Sequence, residues 1–219
     1  MAALVLVDTV LVDTVLVGDV AVDRLADLGL SVDLVERVVR QADAEVSMCT
    51  ELDPPILAGL TRWAKTSRFL REELIPDGWT YDNPRNLART IHPSGEFAIV
   101  AATGDELTGL ADVLPGTRYR KGDATIAAVE ANEQLAFDFP DLDVTDSVAG
   151  TPAILTWVLL FHADEDEFRV ELSLPDRIED GRITRWAERI ILPPFPRDKD
   201  TLTVEDDQHD HVVVEVVRR

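Results

Sequence analysis

The residues best suited to bind a ligand form a short basic segment at positions 117–122, which reads Thr-Arg-Tyr-Arg-Lys-Gly. Arg118, Arg120 and Lys121 come immediately before Asp123, a residue type that favours the start of a helix. Cationic side chains beside the free backbone N–H groups of a helix N-terminus suit a phosphate or a carboxylate. The segment therefore predicts an anion-binding site.

A second basic cluster lies at positions 62–71. Arg62, Lys65, Arg68 and Arg71 recur at every third residue, so on a helix they spread over a broad polar face instead of a narrow stripe. Arg62 and Arg68 are candidate members of the same anion site. For both clusters the alternative is pairing with the chain's own carboxylates, because ion-pair networks need no ligand.

A weaker candidate for chemistry is metal binding by His209 and His211, which flank Asp210. On an extended strand two such residues share one face, and imidazoles with nearby carboxylates can hold a divalent ion. A polar turn before a last strand accounts for the same residues. His162 and Asp164 form another ligand pair, but nothing in the sequence brings the two places together. We expect no metal and no other cofactor.

The sequence does not contain the familiar catalytic motifs. Residues 104–109 have the glycine spacing of a phosphate-binding loop, but Leu110 and Ala111 stand where that loop requires Lys and then Ser or Thr. No nucleophile-elbow motif is present. Cys49 is the only cysteine, which excludes an internal disulfide and a cysteine-based zinc site; we expect it to be buried and inert. These failures favour a protein that is not an enzyme.

Charge sets the general character of the chain. It carries 42 acidic and 21 basic residues, a net charge of -21, and only Lys65, Lys121 and Lys199 are lysines. A salt-rich cytoplasm or a high-GC genome would each produce such a surface. Residues 54–122 nevertheless hold nine basic and eight acidic side chains, so the middle section lacks the acidic excess. We expect nucleic-acid binding to be disfavoured by the overall charge but not excluded at this section.

The N-terminal part of the chain is expected to be helical. Residues 1–22 form an apolar lead-in with a short Leu-Val-Asp-Thr-Val repeat, of which we expect residues 2–15 to be dispensable. Residues 23–78 form a helical segment, with one helix capped by Ser31 and another beginning at Asp53 and Pro54. The sequence from Pro76 to Gly78 is typical of a helix end.

Residues 79–219 are expected to form a sheet-containing region, as one compact unit with the helical segment. Apolar runs predict buried strands at 97–103 and 154–161, and an alternating run predicts a half-exposed strand at 168–174. Residues 123–137 predict a helix, residues 138–150 a loop, and residues 212–217 a final strand. The apolar spacing at 183–191 fits a helical face, with a strand as the alternative. The predicted class is α+β: a helical N-terminal third packed on a mainly antiparallel sheet with one or two further helices.

Two functional hypotheses follow from these observations. The first is a non-catalytic cytoplasmic protein that binds a protein partner or a second copy of itself, possessing four tryptophans (Trp63, Trp79, Trp157 and Trp186) that could contribute to a binding surface. The second is a phosphate-binding, nucleic-acid-binding or phosphoester-handling protein that uses the basic residues of the section 62–122. No segment has the uninterrupted apolar length of a membrane span, so we expect no membrane association.

Overall fold

The computed structural model describes residues 14–136 and 154–197. Three N-terminal helices pack on a mixed sheet, and a fourth helix lies along the chain between two central strands. This arrangement confirms the α+β prediction. The elements are β1 (Thr14–Leu16), α1 (Gly18–Asp27), α2 (Val32–Val46), α3 (Leu57–Leu74), β2 (Thr80–Asp82), β3 (Arg89–Ile91), β4 (Phe97–Thr103), α4 (Asp123–Ala136), β5 (Leu155–Ala163), β6 (Glu167–Glu179), β7 (Arg182–Ile191) and β8 (Phe195–Pro196).

The sheet has the order β1-β7-β6-β5-β4-β3-β2, with β8 also pairing with β6. Within the described ranges two pairings are parallel, β1 with β7 and β4 with β5, and the other pairings are antiparallel. The parallel pairing of β4 and β5 requires the chain to cross over between them. The crossover contains the basic segment and α4, and therefore places both beside the centre of the sheet.

The helices begin and end largely where local chemistry predicts. The Ser31 side chain accepts a hydrogen bond from the Leu34 amide at 3.2 Å and caps α2. Helix α3 starts at Leu57, later than predicted, because the Asp53 carboxylate accepts from the Thr50 amide at 2.8 Å within the preceding turn. A short 3₁₀ turn follows α3 and ends at Gly78, whose φ of 88° is left-handed.

Both faces of the central strands are covered, which explains their nearly continuous apolar sequence. On β5, Trp157, Leu159 and Phe161 belong to the larger core beneath α1, α2 and α3. Val158 and Leu160 belong to a smaller core that includes Val129 of α4. Asn132 ties α4 to the sheet, since its buried side-chain amide donates to the carbonyl oxygens of Thr156 and Pro175.

Residues 182–191 form strand β7, so the helical interpretation of this segment is wrong. Its pairing with β6 contains register shifts around Pro175 and Arg177. Such irregularities place an additional residue on one strand and interrupt the alternation of side chains. As a result Ile183 and Trp186, three residues apart, both join the smaller core, which imitates helical spacing.

Strand β6 is buried on both faces, contrary to the half-exposed strand that the alternating sequence predicts. Glu171 and Ser173 are both 0% exposed. The predicted solvent face is covered by the connection between β4 and α4, which donates a hydrogen bond to Glu171 from the amide of Gly109. The alternating sequence therefore identified the polar face of β6 correctly, but it did not indicate that another part of the chain covers that face.

The lead-in contains structured residues from position 14 onward. Thr14–Leu16 pair in parallel with β7, and Leu16 packs against the larger core. Helix α1 follows from Gly18 and buries Ala21 and Leu25. The greater part of the repeat lies outside the described residues, as do the predicted loop at 138–150 and the predicted strand at 212–217.

Three of the four tryptophans are core residues. Trp79, Trp157 and Trp186 are at most 4% exposed, and only Trp63 is half-buried. The buried Trp186 donates its indole N–H to the Pro115 carbonyl oxygen at 3.0 Å. These three residues therefore cannot contribute to an exposed binding surface.

Candidate functional site

The basic segment is held against the sheet by backbone hydrogen bonds at both ends. The Arg118 amide donates to the Thr103 carbonyl oxygen at 3.0 Å, at the end of β4. The Lys121 amide donates to the Gly181 carbonyl oxygen at 2.7 Å, in the turn between β6 and β7. The Arg120 guanidinium reaches the same turn and donates to the Asp180 carbonyl oxygen at 3.0 Å. The segment is thus positioned by two strand ends.

Gly181 permits this close approach. Asp180 and Gly181 both have left-handed φ angles, 50° and 72°, as expected for a two-residue hairpin turn. A Cβ atom on Gly181 would lie 2.9 Å from the Lys121 carbonyl oxygen. Any side chain here would push the basic segment away from the sheet.

Lys121 is half-buried, whereas Arg118 and Arg120 are exposed. Burial lowers the pKa of the Lys121 ammonium from its ordinary value, since the charged form loses hydration. Arg118 instead lies over the ring of Tyr119, with its guanidinium carbon 5.8 Å from the ring centroid. The three cations of the predicted site therefore differ in exposure: Lys121 is half-buried, whereas Arg118 and Arg120 face solvent.

Lys121 lines a notch of about 190 Å³ beside β4. Strand β3 pairs with β4 only at Ile99 and Ala98, so β3 leaves the edge of β4 beyond that point. Trp63 of α3 covers part of this edge and donates its indole N–H to the Ala101 carbonyl oxygen at 3.1 Å. The remaining walls are largely apolar, from Leu87, Val100, Val158 and Ile183, with Asn86 and Thr125 as polar members.

Asp123 does not take the predicted capping position, because it is the first residue of α4. The Gly122 carbonyl oxygen accepts from the amides of Thr125 and Ile126 at 2.9 and 3.1 Å. The helix therefore starts two residues after Lys121, with Gly122 between them. Its first turn carries Thr125 to the wall of the notch.

The predicted arginines of α3 are engaged by carboxylates. Arg62 donates to Asp43 on α2 at 2.6 Å, and Arg68 donates to Glu72 on its own helix at 2.7 Å. Arg197 also binds Asp43, at 2.8 Å, so one carboxylate on α2 holds two guanidinium groups. For Arg62 and Arg68 this is the internal pairing that the sequence left as the alternative to anion binding.

The predicted metal ligands His209 and His211 lie outside the described residues. Within residues 14–136 and 154–197, no group of three or more His, Cys, Asp or Glu side chains is arranged to hold a metal ion. Cys49 is half-buried, not fully buried as predicted, with its Sγ 3.9 Å from the Thr61 hydroxyl.

Sequence reasoning missed a buried ion pair beneath the connection between β4 and α4. Arg189 donates to Glu171 at 2.6 Å, and both side chains are 0% exposed. Arg189 also donates to the carbonyl oxygens of Leu110 and Val113, and the Ser173 hydroxyl donates to Glu171. No signal in the sequence singles out this pair, because β6 and β7 each carry several other charged residues.

The glycine-spaced segment 104–109 is part of this connection. The Gly109 amide donates to Glu171 at 3.0 Å. The amides of Leu107 and Gly116 donate to Asp105 at 3.1 and 2.8 Å. Carboxylates of the chain itself thus use the N–H groups that a phosphate-binding loop would offer to its ligand.

The second candidate site is an exposed apolar surface at the connection between α2 and α3, here called the α2–α3 tip. Its large apolar side chains are Met48, Leu52, Ile56 and Leu60, which are 78%, 97%, 67% and 49% exposed. The turn beneath them is ordered by Thr50 and Asp53, whose backbone and side chains hydrogen-bond to each other. The tip therefore presents apolar groups from a defined backbone.

None of the helices in the described ranges has both the length and the apolar character needed to cross a bilayer. Comparison of the chain with protein-family models, with curated proteins and with solved structures finds no match.

Proposed function

We propose that the chain is a non-catalytic cytoplasmic protein that works by binding another protein through the α2–α3 tip. The observation that carries the proposal is the clustering of four exposed apolar side chains within thirteen residues. Scattered single apolar residues are normal on a protein surface, whereas several large ones on one short exposed segment favour an interaction site. Leu52 in particular extends almost entirely into solvent.

The partner that fits is a protein with an apolar groove and a basic rim. Residues 41–61 contain no lysine or arginine, and Glu51 and Asp53 lie next to the apolar side chains, whereas the acids Asp43 and Glu45 are already paired with Arg62 and Lys65. Complementary charge would speed association and would select against acidic proteins. A second copy of this chain fits poorly, because like-charged tips would meet on molecules that each carry a net charge of -21.

The phosphate- or nucleic-acid-binding alternative has less support. It requires Arg62, Arg68, Arg118, Arg120 and Lys121 to act together as one basic face. Arg62 and Arg68 are already paired with carboxylates, and a free polyanion would have to compete with those pairs. Of these five residues, only Arg118, Arg120 and Lys121 in the basic segment before α4 still support the alternative.

A photo-crosslinking residue at position 52 of the full chain tests the proposal in the cells that produce it. We expect one main adduct, with a basic protein, and its loss when Ile56→Ser and Met48→Ser are introduced. The same probe at exposed position 119 should not give this adduct. Binding of the purified partner should weaken by about tenfold or more in the double variant and should fall as salt rises.

Three outcomes would overturn the proposal. The first is an adduct that consists of two copies of this chain, which would make the tip a self-association surface. The second is an adduct that persists unchanged in the double variant, and the third is the absence of any adduct; either would show that the tip is not a binding surface.

A further inference from the structure

Lys121 is unusual in this chain, because lysines are rare in it and this one lines a cavity. The chain has 18 arginines and three lysines, and Lys121 is the lysine that lines the notch beside β4. Among the described residues its ammonium makes no ion pair, and burial lowers its pKa from the ordinary value. In a chain with twice as many acids as bases, a half-buried cation without a carboxylate partner needs an explanation.

The walls of the notch indicate what would satisfy that cation. Leu87, Val100, Val158 and Ile183 offer apolar surface, and the Thr125 hydroxyl offers a hydrogen bond next to the start of α4. The Trp63 indole N–H is used by the Ala101 carbonyl oxygen, so Trp63 contributes mainly its ring. A ligand for this site needs one anionic end and an apolar body.

We propose that the notch binds a small monocarboxylate, with its carboxylate on the Lys121 ammonium and its apolar body between β4, β5 and β7. A carboxylate suits a single ammonium and one hydroxyl, whereas a phosphate dianion would seek several cations. This site goes beyond docking through the α2–α3 tip and does not depend on it.

The volume sets the size of the ligand. A dry apolar cavity of about 150 Å³ accepts benzene, so a notch of about 190 Å³ suits a body slightly larger than a six-membered ring. Hexanoate and benzoate are of this size. Because the notch is partly open to solvent, the ligand can enter without unfolding of a strand.

The three lysines make a direct test practicable. In protein labelled with ¹³C at the lysine ε-carbon, each lysine gives a separate NMR signal, and the Lys121→Met variant identifies that of Lys121. We expect hexanoate to shift the Lys121 signal in a saturable way while the signal of Lys65 stays still, since Lys65 is paired with Glu45 at 2.7 Å. Hexanol and inorganic phosphate are the matched probes for the apolar body alone and the anion alone.

Two variants separate binding from folding. Lys121→Met keeps the length of the side chain but removes its charge, and Thr125→Phe fills the notch while leaving Lys121 in place. Each should fold, as judged by an unchanged amide spectrum elsewhere. Each substitution should weaken hexanoate binding by about tenfold or more. Binding is measured by calorimetry for Lys121→Met, which lacks the Lys121 signal, and by the shift of that NMR signal for Thr125→Phe.

The proposal would be overturned by any of three results. They are a Lys121 signal that hexanoate does not move, hexanol binding as tight as hexanoate binding, and phosphate binding tighter than hexanoate binding. The second would show an apolar cavity without a role for Lys121, and the third an anion site without a role for the apolar walls.

Discussion

At the scale of single residues, the pair Glu171 and Arg189 shows how charge is accommodated in the interior. Removing two charges from water is costly, and their attraction offsets that cost only when their remaining polar atoms are also satisfied. Here the carboxylate accepts from Gly109 and Ser173, and the guanidinium donates to two carbonyl oxygens of the crossover. The pair therefore anchors the connection between β4 and α4, which leads to the basic segment.

Breaking this pair should be severe. We expect Arg189→Met to lower the free energy of unfolding by about 3–5 kcal/mol, because it leaves the Glu171 carboxylate buried without its counter-charge. Urea unfolding measures the change. The double variant Glu171→Gln with Arg189→Met should recover part of the loss, since no buried charge then remains. A loss below about 1 kcal/mol for the single variant would mean that water reaches Glu171.

At the scale of elements, Asp43 links three parts of the chain. It lies on α2 and binds Arg62 of α3 and Arg197 beyond β8. Burial would raise the pKa of Asp43, but the hydrogen bonds of Arg197 and Arg62 outweigh it and hold the pKa below the ordinary value of 3.8. The Asp43 carboxyl therefore binds a proton less readily in the folded state than in the unfolded chain. For that reason its interactions with Arg62 and Arg197 stabilise the fold at higher pH.

The pH dependence follows from that sign. The contribution of Asp43 should be complete above its unfolded pKa of 3.8 and should disappear as the pH falls through its lower folded pKa. We expect Asp43→Asn to lower the free energy of unfolding at neutral pH by about 1–3 kcal/mol and to reduce its loss on acidification. Glu130→Gln, at an exposed position, is the control. Parallel acid curves for wild type and Asp43→Asn would contradict the prediction.

Strand β1 sets a limit on truncation. The sequence predicts that residues 2–15 are dispensable, but Thr14 and Val15 belong to β1, so only deletion of residues 2–13 should leave the midpoint of thermal unfolding unchanged. Deletion of residues 2–16 should lower it, because Leu16 packs against the core and Thr14–Leu16 cover the edge of β7. Equal midpoints for the two deletions would show that β1 contributes nothing to stability.

At the scale of the whole molecule, the excess of acids cannot be neutralised internally. Even if each of the 21 basic residues paired with a different acid, half of the 42 acids would have no cation. Ion pairs such as Arg24–Glu188 and Arg37–Glu73 relieve the repulsion locally. The remaining charge still opposes the compact state.

The fold should therefore be stabilised by salt. At 0.1 M ionic strength, exposed charges more than about 10 Å apart are largely screened from one another, so the midpoint of thermal unfolding should rise as sodium chloride is added. Asp43→Asn removes one acid but breaks two ion pairs, and its midpoint should start lower and rise in the same way. A midpoint that stays level or falls with salt would indicate that attractive pairs outweigh the repulsion.

The sequence by itself determined the class of the fold, the helix cap at Ser31, the buried strands β4 and β5 and the negative surface. These depend on local preferences and on apolar periodicity, which adjacent residues carry. It also indicated Lys121, through a basic segment before a helix, but not that Arg118 and Arg120 would remain in solvent.

Only the tertiary structure decided which polar residues are buried and what surrounds them. Glu171 and Ser173 have the alternation of a solvent-facing strand side, and they are buried because a distant connection covers them. The bulged pairing of β6 with β7 made a strand resemble a helix, since an additional residue shifts the period. The notch beside β4 likewise exists because β3 departs from that edge, while Trp63 from within α3 and Lys121 before α4 line it. Burial and cavities depend on contacts between segments far apart in the chain, and no local pattern of residues encodes them.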